Sequence, residues 1–163
     1  MDPLPLFGLQ FTLSAIIFTL VARWYITPRL AALPLQAALV PLFLVHTLRY
    51  LPSTGFAPDQ VSADLPVEPM SQIAYGDLGS ALVALVTVLF LRYRWPAAVW
   101  LAWGANVVMA LDWAYATFLA ASNELVTYGM GGNWYIVAYY VPVIGVVHVL
   151  IFIRLVQARR SSS

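Results

Sequence analysis

The run from Ala97 to Ala121 is apolar almost throughout, yet it holds Asn106 and Asp112 in its interior. It is long enough, as a helix, to cross a hydrocarbon layer of ~30 Å. A carboxylate at that depth costs ~3 kcal/mol or more unless something answers it. Any fold open to this chain must therefore bring a partner to Asp112 from the polar residues of its other segments.

The composition sets the solvent. Of 163 residues, 62% are hydrophobic and 9% charged, and the mean hydropathy is +0.82. A water-soluble domain keeps about a quarter of its residues charged. The chain reads as one membrane domain over residues 1–163, with the lipid bilayer as its first partner. A net charge of +1 argues against nucleic acid. Without cysteine, disulfides, thiol catalysis, Fe–S clusters and thiolate zinc sites are excluded. Every basic residue is Arg, which removes Schiff-base chemistry on lysine.

Apolar segments lie at about 7–26, 31–51, 71–91, 97–121 and 133–155. Backbone in lipid must satisfy its own hydrogen bonds, so each should be a helix. The expectation is an all-α integral membrane protein, five transmembrane helices in one bundle. Charges between the segments alternate. Arg23 and Arg29 follow the first, Asp59, Asp64 and Glu68 the second, Arg92 and Arg94 the third, Glu124 the fourth, and Arg154, Arg159 and Arg160 close the chain. The positive-inside rule then puts the N-terminus outside and the C-terminus in the cytoplasm, as in a bacterial inner-membrane protein. Trp24, Tyr25, Tyr93, Trp95 and Trp134 sit near segment ends, as interfacial aromatics do. Only Asp2 precedes the first segment and arginines follow it, so it reads as a span and not a cleaved leader. The acidic stretch 52–70, with Pro52, Pro58, Pro66 and Pro69, reads as a stiff extended connector, with a folded cap as the alternative. Asn133, after Gly129-Met130-Gly131-Gly132, reads as a helix N-cap.

Counting along the spans at ~1.5 Å per residue places the interior polar groups by depth. His46 and Arg49, three apart on one face, fall in the outer half with Asp77, Asp112, Tyr135, Tyr139 and Tyr140. Gln36, Asn106 and His148 fall in the inner half, with His148 roughly 12 Å from His46 along the normal. Pro41 and Pro142 should kink their helices.

This convergence supports, first, a polar intramembrane pocket near the outer leaflet that binds or processes a lipid or other apolar small molecule. In it His46, with an unperturbed pKa of ~6.5, would serve as acid or base, and Asp77 and Asp112 would orient it or share a proton. Arg49, Asn106, Trp113, Tyr135 and Tyr139 would contact the ligand. The alternative is a non-catalytic accessory subunit of a larger membrane complex, with the same residues as interhelical ties and neighbouring subunits as partners. A metal held by His46, Asp77 and Asp112 lacks any short ligand-spacing motif, and a proton pathway meets a nearly bare inner leaflet. No cofactor is indicated by the sequence.

Overall fold

The computed structural model describes residues 2–160. It is all-α, built from five helical rods in antiparallel succession. The first, α1, is a continuous helical run Pro3–Ala31, interrupted by a π-turn at Ala22–Ile26. Asp2 caps it, its side chain accepting from the amide of Leu4 at 3.1 Å, and Pro3 supplies a first-turn residue that needs no amide partner. Pro34 ends the connection, and α2 runs over Leu35–His46 with Pro41 inside it. The chain then tightens into a 3₁₀ stretch, Thr47–Phe56. Thr47 turns its hydroxyl back onto the Leu44 carbonyl at 2.7 Å, a local bond that competes with a continuing α-helix.

The third rod, α3, spans Val67–Arg92 and has Glu68 in its first turn, where a carboxylate favours the helix dipole. A tight turn through Arg94, at φ 56°, leads to α4 at Ala98–Ser122. The last rod, α5, spans Asn133–Arg160. Its early π-turn, Ile136–Tyr140, lies directly ahead of Pro142, where the missing amide breaks the regular hydrogen-bond ladder.

Small residues let α3 and α4 approach closely, with Ala74, Ala81 and Ala84 buried on one and Ala98, Ala102 and Ala105 on the other. The main core joins Ala84, Ala98, Ala102 and Ala105 to Leu39, Phe43, Met109, Ile151 and Leu155. A smaller core of Leu65, Met70 and Leu125 closes the opposite end. By contrast α1 is peripheral. In its stretch Pro3–Val21 only Ser14 is buried. Trp134 ties it down, donating from Nε1 to Gln10 Oε1 at 2.7 Å and meeting Phe7 edge-on.

Two expectations need correcting. Five rods form, but three, not five, are long and apolar enough to cross a membrane: Pro3–Ala31, Val67–Arg92 and Asn133–Arg160. The expected span 31–51 fails because its α-helix stops at His46 after 12 residues. The expected span 97–121 is long enough as a helix, but Asn106, Asp112 and its tryptophans dilute its hydropathy. The stretch 52–70 is not an extended connector either. It begins in the 3₁₀ turns, buries Leu65, and donates from the Ser62 amide to the Gly129 carbonyl at 2.7 Å, so it folds as a cap on that end.

Candidate functional site

The partner Asp112 requires is Arg49. This arginine sits on the 3₁₀ stretch just past α2, and its side chain is 0% exposed. Its Nε donates to Asp77 Oδ1 at 2.7 Å, and Nη2 lies 2.6 Å from the same oxygen. Nη2 also donates to Asp112 Oδ2 at 2.7 Å, and Nη1 to the Met109 carbonyl at 2.8 Å. Ser80 adds a hydroxyl to Asp112 Oδ2 at 2.8 Å. Every nitrogen of the guanidinium is thus engaged, by groups from α3 and α4. Charge-assisted bonds of this kind are about twice as strong as neutral ones. One Arg faces two Asp, so the cluster carries one formal negative charge.

Gly76 makes the approach possible. A Cβ there would collide with Asp112 Oδ1. Together with Ser80, one turn along α3, it forms the seat for the Asp112 carboxylate. Gly76 and Ser80 read from sequence as ordinary small packing residues. Their spacing around Asp77 is the signal that could have marked them.

The histidines lie beside this cluster, and not where depth counting puts them. The His46 and His148 rings pack at a tilt of 38° with centroids 4.3 Å apart, against an expected separation of roughly 12 Å. Counting assumed ideal helices from 31 and from 133. In fact α2 begins later and α5 carries a π-turn, which changes the rise per residue. His46 is fully buried, and neither ring nitrogen has a hydrogen-bond partner among the described residues. His148 Nδ1 lies 2.7 Å from Asn106 Oδ1, and the Asn106 amide nitrogen donates to the His148 carbonyl at 3.4 Å. That pair of contacts fixes the Asn106 amide orientation and puts the His148 proton on Nδ1.

The remaining expected site residues scatter. Tyr135 and Tyr139 stack on each other at 6.1 Å and are 65% and 41% exposed. Tyr140 turns inward instead, donating to the Val45 carbonyl at 2.6 Å and bracing the end of α2. Trp113 packs toward His148 with its Nε1 unpartnered among the described residues. Asn133 is buried and accepts from Thr54 Oγ1 at 3.0 Å, so it ties the 3₁₀ stretch to α5 and does not cap it.

A cleft of about 390 Å³ opens between α1, α3, α4 and α5, with Arg49 and Asp77 in an otherwise mostly apolar wall. The expected ligand pocket is nevertheless overturned. Its anion-holding group, Arg49, is shielded from solvent and consumed by two carboxylates and a carbonyl. Its proposed general base, His46, packs on His148 and has no hydrogen bond to either Asp among the described residues, and three rods, not five, are able to span around it. Among the described residues no three His, Asp or Glu side chains gather in a metal-binding arrangement. The two Asp converge, but on Arg49.

Fold and cluster together define an all-α, strongly apolar bundle pinned across three of its elements by a buried Arg–Asp network. The chain belongs to a family described as a domain of unknown function (DUF8737), whose profile matches residues 6–156. No curated protein and no solved structure matches it.

Proposed function

We propose that this chain is a non-catalytic structural subunit of a membrane assembly, in which the Arg49 cluster ties the helices together. The observation that carries the reading is how Arg49 is held: every nitrogen of its guanidinium bonds to the protein itself, to two carboxylates and a carbonyl. A site meant to seize a ligand keeps donors free for it. The outer faces suit such a role. On α4, Trp100, Leu111 and Phe118 are 80%, 67% and 65% exposed. This helix has too little hydropathy to be among the candidate spans, yet it presents a wide apolar stripe, a combination suited to packing against neighbouring helices. On this reading the basic end faces the cytoplasm.

The test separates a tie from a reacting centre. A buried ion network can be replaced by packed apolar residues of similar volume with little loss, whereas removing one member leaves uncompensated charge. Arg49→Met alone should unfold the bundle or strip it from its assembly. The triple variant Arg49→Met, Asp77→Leu, Asp112→Leu should recover both folding and co-purification with its neighbours. A triple variant that folds but has lost its cellular role would overturn the reading.

A further inference from the structure

The charges on this protein are sorted by end. Asp2, Asp59, Asp64, Glu68 and Glu124 lie at the capped end, where Leu65, Met70 and Leu125 pack together. Seven of the eight arginines lie at the other end, and the eighth is Arg49. Contacts fix this second end. Arg154 donates to the Leu33 carbonyl at 3.2 Å, joining the α1–α2 turn to the close of α5. Ala22, Leu30, Leu91, Ala98 and Leu155 share the main core there.

Five of these arginines, Arg23, Arg29, Arg92, Arg94 and Arg154, make no ion pair with any described carboxylate. Arg29 and Arg154 are held in part by backbone carbonyls, which position the charge without cancelling it. Around them stand Trp24, Tyr25, Tyr93 and Trp95, 59%, 57%, 69% and 49% exposed. Exposed Trp and Tyr beside uncompensated Arg form a ring with an apolar body and a cationic rim. This is the chemistry of the headgroup layer, where amphipathic rings settle and each nearby arginine favours an anionic surface.

We infer that this end of the bundle is a docking surface for anionic phospholipid headgroups. The inference rests on the membrane reading above, and adds to it a lipid class and the residues that select it. Nearest-neighbour lipids at the Trp24 and Trp95 ring are enriched in phosphatidylglycerol-type headgroups over zwitterionic ones. The opposite end, rimmed with carboxylates, has no such preference.

The full-length chain, purified in mild detergent, is reconstituted into vesicles of phosphatidylcholine alone and of phosphatidylcholine mixed with phosphatidylglycerol. Tryptophan quenching is compared with the bromine label on one lipid or the other. Quenching by brominated phosphatidylglycerol should exceed its bulk share several-fold. Arg23→Gln with Arg92→Gln and Arg94→Gln should remove most of that several-fold excess, because each arginine near the surface favours an anionic headgroup. High salt should act in the same direction on the unaltered chain. Equal quenching by both labelled lipids would overturn the inference, even with the protein inserted. Failure to float with either kind of vesicle would instead remove the membrane reading beneath it.

Discussion

The two carboxylates on Arg49 are not equivalent. Asp77 receives both Nε and Nη2, and its side chain is 11% exposed. Asp112 receives Nη2 alone, has help from Ser80, and is 22% exposed. Asp77→Ala removes the closer partner of a dry guanidinium, and about 3–5 kcal/mol should be lost. Asp112→Ala should cost less, because Asp112 engages one nitrogen of the guanidinium where Asp77 engages two, and it is the less buried of the pair. Equilibrium unfolding in mixed micelles would compare them, and a reversed order would count against the described geometry. The histidines invert the usual expectation for buried polar groups. His46 has no partner at either ring nitrogen among the described residues, so His46→Leu removes unsatisfied groups and should be neutral or stabilising by about 1 kcal/mol. His148→Leu leaves Asn106 Oδ1 unpaired and should destabilise by about 1–3 kcal/mol. The same unfolding assay reads both.

At the scale of the elements, the close passage of α3 over α4 hangs on glycine at one position and not at its neighbour. A side chain at Gly76 meets the Asp112 carboxylate, whereas nothing lies within 4 Å of a Cβ at Gly79. Gly76→Val should push the helices apart, dislodge Asp112 from Arg49, and cost several times what Gly79→Ala does. Gly79→Ala should instead stabilise by up to about 1 kcal/mol, since alanine loses less freedom in a helix. The same pair of helices shows what could be read in advance. Length and hydropathy announced five helical rods, and the carboxylate inside an apolar run announced that a partner would be brought to Asp112. The halt at His46 was not legible, because Thr47-Leu48-Arg49-Tyr50-Leu51 contains no residue that forbids an α-helix and Pro52 comes only afterwards. That halt removes one expected span and carries Arg49 to its two acids. The His46–His148 ring contact was hidden for a related reason. It depends on where α2 begins, at Leu35 and not at 31, and on an irregular turn in α5, neither of which hydropathy reports.

Across the whole molecule, three long apolar rods and a sorted charge distribution make the same demand. Rods α1, α3 and α5 are the ones long and apolar enough to span, and all three run from the capped end to the arginine end, so if they cross, these two ends lie on opposite faces. The cap 52–70 joins α2 to α3 at one end, and the turn at Arg94 joins α3 to α4 at the other. Because the chain contains no cysteine, single introduced thiols report their own position without background. Asp64→Cys lies in the cap and Trp95→Cys in the arginine-end turn, and both sites are exposed. In intact cells an impermeant thiol reagent should label the first, and reach the second only after the membrane is opened. The two positions are separated by the full length of α3, ~1.5 Å for each helical residue, so a single interface cannot hold both if α3 crosses. Labelling of both thiols from one side would mean that α3 lies along the surface. The Arg49 network would then be holding together a bundle that rests on the bilayer and does not pass through it.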